Sequence, residues 1–248
     1  MKVLIAVCSC QGDAENGNHD AIRSTWGKDV AAAGADLRFF VGRRSPDYQP
    51  KPDEVLIDWE QPKTCEHPWW QCVEGCCIDY WQKNIKENLR WSLQQGYDFT
   101  FECENDTFMV PSKLMALDFA RYDISGCFFP LDTPIGTRTT YQMWPHSPTR
   151  NPTSDWRVYP YPNPGVGYFL SRKAAEIVLN ATPSHWDIGP FTGQALGPAI
   201  ESGEIWATNL DDLWNNASFH YRDVHNSESY FPGCGWQYEM YEKHGKFK

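Results

Sequence analysis

The chain has 248 residues, 41% hydrophobic and 22% charged, which supports a sizeable buried core and excludes a disordered or fibrous chain. Its formal charge of −10 argues against a broad electrostatic grip on nucleic acid, which draws mainly on Lys and Arg, while leaving room for a local basic groove. Aromatic residues make up 15%, including 12 Trp, a density that suits clefts stacking planar or pyranose rings and equally an aromatic core.

Residues 3–8 are an apolar run of strand length, with no basic leader before them and no small-residue cleavage pattern after them. No later segment reaches the roughly 20 apolar residues of a spanning helix, so the expectation is a soluble, cytoplasmic protein with no membrane anchor. Nine cysteines, an odd number without an export signal, are expected as reduced thiols. Cys65, Cys72, Cys76 and Cys77 form a cluster open to zinc, although their spacing lacks a clean pair of C-x-x-C knuckles.

A polar loop follows the first strand, then a helix over residues 20–26 and a strand over 37–41 that stops at Gly42. Strand, helix and parallel strand put that loop at the carboxyl end of the sheet, where open α/β sheets bind ligands. Residues 55–59 read as a third strand. Residues 78–95 read as a long helix, with Ile78, Trp81, Ile85, Leu89 and Leu93 near helical spacing and Gly96 as its stop.

The chain is organised around residues 97–110. Tyr97, Phe99 and Phe101 alternate with Asp98, Thr100 and Glu102 at the period of a strand. Glu104, Asn105 and Asp106 then interrupt, and Phe108, Met109 and Val110 restore apolar character. Carboxylates at the mouth of a core repel one another unless a cation sits between them, and a hard divalent ion with oxygen ligands meets that need; a polar turn is the alternative. Beyond this stretch, residues 112–120 read as a helix, 124–130 as a strand and 133–152 as a loop-rich excursion. Residues 158–170 hold Pro160, Pro162, Pro164, Gly165 and Gly167 in a ligand-facing turn that runs into a strand over 167–170. Ser171 is a good N-cap for a helix with its body at 174–179, residues 186–197 turn helical, and 204–207 read as a strand. Trp69, Trp70, Trp144 and Trp186 are candidates for an acceptor platform or for the core.

Several stretches in one order resemble the inverting β-1,3-galactosyltransferase-like glycosyltransferases, which include Fringe and core-1 enzymes. HDAIRSTWG, beginning at His19, resembles the family's A-I-R-x-T-W-G, with Ile22, Arg23, Thr25, Trp26 and Gly27 matching. FFVG, beginning at Phe39, is similar to the strand that follows, and DYWQKNIKENLRW, beginning at Asp79, is a looser counterpart of a long helix ending in Arg-Trp. FECENDTFMV resembles K-T-D-D-D-x-F-V, with Glu104, Asn105 and Asp106 where three Asp usually stand and Glu102-Cys103 in place of Lys-Thr. YPYPNPGVGYFLSRKAA, beginning at Tyr159, closely resembles Y-P-x-Y-x-x-G-x-G-Y-x-L-S, and HWDIGPFTG, beginning at His185, resembles E-D-V-x-x-G less closely.

The resemblance implies an α/β fold, a single Rossmann-like nucleotide-sugar glycosyltransferase domain of GT-A type with a mostly parallel sheet. Residues 1–110 would form the nucleotide-sugar half and 111–248 the acceptor half. It implies transfer of a galactose-, glucose- or N-acetylhexosamine-type sugar from a UDP-sugar to an acceptor hydroxyl, with a divalent cation, Mn²⁺ foremost, at the departing diphosphate. Glu104, Asp106 and His220 are then the candidate ligands, with His225 the spare and Glu104 also a candidate for ribose contact. Asp187 is the candidate general base, its alternative being a helix cap. Arg23 either contacts diphosphate or holds the nucleotide loop through a bidentate pair, the alternative being an internal salt bridge. Glu104, Asn105, Gly165 and Gly167 complete the nucleotide-sugar set, the glycines letting backbone approach the donor. The loss of the full acidic triad leaves a noncatalytic sugar- or nucleotide-binding relative as the second possibility. The acceptor is open among a carbohydrate, a protein and a hydroxylated base in DNA.

Overall fold

The computed structural model describes residues 1–43, 45–60, 77–129, 134–140, 157–182, 188–210 and 218–220. The first apolar run forms β1 (Val3–Cys10), buried along its whole length, as a strand with neighbours on both edges and both faces must be. Two short helices follow, α1 (Gln11–Glu15) and α2 (Asn18–Ser24), then a 3-10 turn (Trp26–Asp29), β2 (Ala35–Arg43) and β3 (Glu54–Glu60). The long α3 (Cys77–Gln94) leads to β4 (Phe99–Glu104), β5 (Thr107–Met109) and α4 (Pro111–Met115). Then come β6 (Ile124–Gly126), β7 (Phe128–Phe129), β8 (Thr139–Thr140), β9 (Arg157–Val158) and β10 (Tyr161–Pro162). The order closes with β11 (Tyr168–Ser171), α5 (Arg172–Asn180), α6 (Ile188–Glu201), β12 (Ala207–Asn209) and β13 (Ser218–His220).

Among the described residues, seven strands make one sheet in the order β12-β6-β11-β4-β1-β2-β3. β1 runs parallel to both β2 and β4, and β2 is parallel to β3. Within this sheet only β11 runs against its neighbours β4 and β6. The fold is therefore α/β, with a mixed, mostly parallel sheet flanked by helices. Val3, Ile5 and Val7 face one layer with Trp26, Phe39, Phe101 and Leu114, so α2, the 3-10 turn and α4 cover that side. Leu4, Ala6 and Cys8 face the other, against α3, α5 and α6. No helix among the described residues is long and apolar enough to cross a membrane.

Helix α3 keeps the predicted stripe, with Ile85 and Leu89 fully buried, but the same buried side carries Asn84 and Asn88. Asn84 Nδ2 donates to the carbonyls of Ser9 and Phe40, both at 3.1 Å, closing backbone acceptors at the carboxyl ends of β1 and β2. Ser171 caps α5 as expected, its hydroxyl accepting the Ala174 N–H at 3.3 Å.

Some expected boundaries move. The polar loop after β1 contains α1, braced within by Gln11 Nε2 donating to Glu15 Oε1 and tied to the end of β1 by Cys10 Sγ donating to Asp13 Oδ2. The helix expected over 112–120 shortens to α4. The strand expected over 204–207 begins only at Ala207, because Trp206 is two-thirds exposed and reaches β6 through its carbonyl, which accepts the Asp123 and Ile124 N–H groups.

Helix α6 lies flush on the segment before the glycine loop because Gly189, Gly193 and Gly197, four residues apart, share one face. A Cβ at Gly189 would sit 2.8 Å from the Pro162 carbonyl oxygen, and one at Gly197 would enter the Tyr159 ring.

Candidate functional site

The acidic stretch forms what its pattern predicts. β4 ends at Glu104 level with Cys8 of β1, Asn105 and Asp106 make the turn, and β5 continues. The turn sits at the carboxyl edge of the parallel strands, where such sheets take ligands. Asp106 is buried, and Glu104 and Asn105 are half-buried. Charge accumulates here. The Cys103 thiol is pushed well up by its burial and then by the carboxylates of Glu102, Glu104 and Asp106.

β5 pairs antiparallel with β13, setting Ser218 opposite Met109, Phe219 opposite Phe108 and His220 opposite Thr107. The register brings His220, more than a hundred residues away in sequence, to the position beside Asp106. Glu104 thus ends β4 at the edge of the seven-stranded sheet, Asp106 lies in the turn, and His220 lies beyond it on the separate two-stranded β5–β13 pair. Among the described residues no three His, Cys, Asp or Glu side chains gather as a metal-binding group; the His220 side chain, His225 and Asp187 lie outside them. So do Trp69, Trp70, Trp144, Trp186 and the cysteines at 65, 72 and 76, while Cys77 opens α3.

Two further motifs converge on the same turn. Trp26, wholly buried, donates its indole N–H to the Thr107 carbonyl at 3.1 Å. Thr107 Oγ1 donates to the Gly165 carbonyl at 2.8 Å. The glycine loop is folded on itself by Asn163, whose Oδ1 accepts from Gly165 N–H and whose carbonyl accepts from Gly167 N–H, both at 3.0 Å. Gly167 has φ +92°, and a Cβ there would lie 2.3 Å from Phe101 Cζ and 2.9 Å from the Glu102 carbonyl oxygen. Its missing side chain lets the loop lie against β4, a reason of packing that the expected approach to a donor sugar did not include.

Arg23 resolves in favour of an internal pairing. Its guanidinium clasps Asp53 in a bidentate pair, Nε to Oδ2 at 2.8 Å and Nη2 to Oδ1 at 2.6 Å, and also reaches Asp20 and Glu54. These carboxylates hold its charge firmly, outweighing the burial that opposes it. Arg23 thereby ties α2 to the amino end of β3.

Beside it His19 joins Ser9 Oγ, 2.6 Å from Nε2, to Glu54 Oε1, 2.8 Å from Nδ1. The connectivity is that of a nucleophilic triad. Ser9 and His19 are, however, completely buried, so no acyl substrate reaches the hydroxyl. Glu54 is also occupied by Tyr48 Oη and the Lys51 N–H. The network fixes the start of α2 between β1 and β3. Burial pushes the Glu54 carboxyl up, but hydrogen bonds from His19, Arg23, Lys51 N–H and Tyr48 outweigh it and hold the group well below the usual range. Its contribution to stability is present above the ordinary carboxylate value and is lost as pH falls.

Glu102 behaves oppositely. It lies under the turn, fully buried, with Oε2 accepting from Asn88 Nδ2 at 3.0 Å and from the Cys8 thiol at 3.7 Å. Burial pushes its carboxyl up to about 8, against the partial opposition of those two bonds. A group raised in the folded state stabilises fully below its ordinary value of 4.5, and that contribution is lost as pH climbs through about 8. The loss over that interval is on the order of 4 kcal/mol. The melting temperature of the parent is expected to fall from about pH 5 to about pH 8, and Glu102→Gln to remove most of that fall. Equal slopes for the two proteins in thermal denaturation would show that Glu102 is not the group responsible.

A surface depression of about 290 Å³, lined by Arg23, Lys28, Arg38, Asp36 and Asp53, lies at the amino end of β2. It is on the opposite edge of the sheet from the acidic turn. Its cations are offset by carboxylates, Arg23 and Asp53 being the clasped pair described above.

No protein-family model matches the chain, and no curated protein matches it.

Proposed function

We propose that this chain is a metal-dependent inverting glycosyltransferase of GT-A type that moves a hexose or N-acetylhexosamine from a UDP-sugar to an acceptor hydroxyl. The observation that carries this reading is the register of β13 on β5, a separate two-stranded pair, which sets His220 opposite Thr107, the residue after Asp106, beside the turn that ends β4 at the carboxyl edge of the mostly parallel sheet. Three of the motifs that resemble the β-1,3-galactosyltransferase-like family, remote in sequence, meet there through Trp26, Thr107 and Gly165.

The donors suit a hard or borderline divalent ion such as Mn²⁺, since two carboxylates and an imidazole are the ligand types such ions take. Glu104, Asp106 and His220 would hold it, and when bound it neutralises the diphosphate that departs from the anomeric carbon. Asp187 removes the acceptor's proton as the acceptor oxygen bonds to the anomeric carbon. The bond to diphosphate breaks on the opposite face, and UDP leaves with the electron pair. Gly165 and Gly167 set the height of the loop beside the turn, and Asn105 and Glu104 face the nucleotide. A carbohydrate or protein hydroxyl is favoured as acceptor over a hydroxylated DNA base, because the net charge is −10.

A noncatalytic sugar- or nucleotide-binding relative is the second reading, favoured by Asn105 standing between Glu104 and Asp106 in place of a third carboxylate. Incubating the full chain with a panel of UDP-sugars separates the two. UDP release that needs Mn²⁺ and stops with chelator supports the transferase. Binding without release supports the relative, and neither binding nor release removes both.

A further inference from the structure

Thr107 stands at the one unspecified position of the acidic motif, yet four separate parts of the chain meet at it. It is completely buried. It directly follows Asp106, and its main chain faces His220 across the β5–β13 pairing. Its carbonyl receives the Trp26 indole N–H, and its hydroxyl donates to the carbonyl of Gly165. The carbonyl bond fixes the Thr107–Phe108 peptide, one residue beyond Asp106, and the hydroxyl bond holds the acidic turn against the glycine loop.

We propose that Thr107 is a positioning residue that holds the Asp106 carboxylate in register for a divalent cation by anchoring the turn to Trp26 on one side and to Gly165 on the other. The proposal rests on the acidic turn being the cation site. A carboxylate ligand is only as well placed as the backbone that carries it; partners bonded directly to a ligand govern metal affinity by about 10- to 100-fold, and Thr107, acting through the backbone, is assigned the lower end of that range. Thr107→Val keeps the branched shape and removes the hydroxyl, whereas Thr107→Ser keeps the hydroxyl and removes a methyl group.

The test is Mn²⁺ alone, titrated into the full chain and followed by the electron paramagnetic resonance signal of the free ion, with melting recorded for each protein. Thr107→Val is expected to bind Mn²⁺ at least about tenfold more weakly than the parent while remaining folded, and Thr107→Ser to stay within about twofold. A purely structural role lowers melting without moving Mn²⁺ affinity in the folded variant. A folded Thr107→Val that binds Mn²⁺ like the parent therefore overturns the proposal and leaves the cation site standing. A parent that binds no Mn²⁺ overturns the cation site and this proposal together. Should the valine variant not fold, Thr107→Cys, whose thiol is a weak donor, takes its place. Weakened Mn²⁺ binding then supports the proposal, and parental binding overturns it.

Discussion

Replacing Asp187 with asparagine is expected to slow sugar transfer roughly 100- to 10,000-fold, the usual cost of losing general-base assistance, while melting and UDP-sugar affinity stay at the parent's values. Asparagine keeps the shape and the hydrogen-bonding oxygen but accepts no proton. Asp187 itself lies outside the described residues; α6 begins at the next residue, Ile188, so the cap role has to be separated from the base role by experiment. A helix cap predicts another outcome. An asparagine caps about as well as an aspartate, and a lost cap costs only about 1 kcal/mol of stability, so the cap role predicts near-parental transfer. Steady-state rates with circular dichroism melting distinguish the two, and a variant that transfers at the parent's rate would reject Asp187 as the base.

Asp106→Ala is expected to abolish Mn²⁺-dependent UDP binding without unfolding the protein. Asp106 is the buried member of the acidic turn and neighbours the residue opposite His220, so its loss removes a charged ligand from the centre of the set. Stability has less to lose. The turn concentrates carboxylates that also push the Cys103 thiol upward, and removing one charge relieves repulsion in the metal-free protein. Calorimetry of UDP with and without Mn²⁺ reads the difference. Unchanged metal-dependent affinity in the folded variant would return the acidic stretch to an ordinary polar turn.

Much of the fold was legible because it depends on local patterns. The eight buried residues of β1 needed only a short apolar run, and α3 showed its helical stripe and ended as expected before Gly96, whose φ of +76° suits a helix stop. The antiparallel course of β11 was not legible, since a strand's direction depends on the path of the chain around it and not on its own residues. Strand β12 was misplaced by the apolar pair Ile205-Trp206, one buried and the other exposed, because pairing there runs through main-chain groups. The glycine face of α6 was present in the sequence as a spacing of four, but its meaning required the partner segment at Tyr159 and Pro162.

For the site, the acidic turn could be read from residue types and the His220 element only from the family resemblance, whereas the residues that support them could not be read from either. Thr107, Asn163 and Glu102 act through bonds to positions 14 to 94 residues distant or within a turn, and nothing in their own composition marks them. His19 and Glu54 join across 35 residues in the same way, and Arg23, a candidate phosphate ligand in the sequence, is held in a half-buried clasp with Asp53 and Glu54.

The central claim is that the acidic turn binds nucleotide diphosphate through a divalent cation. Titrating UDP into the full chain by isothermal calorimetry, once with Mn²⁺ and once with chelator, tests it most directly. The account predicts saturable binding near one UDP per chain with Mn²⁺ and at least about tenfold weaker binding with chelator, as expected when an ion bridges protein and ligand. UDP binding of equal strength in both titrations, or no binding in either, would contradict it.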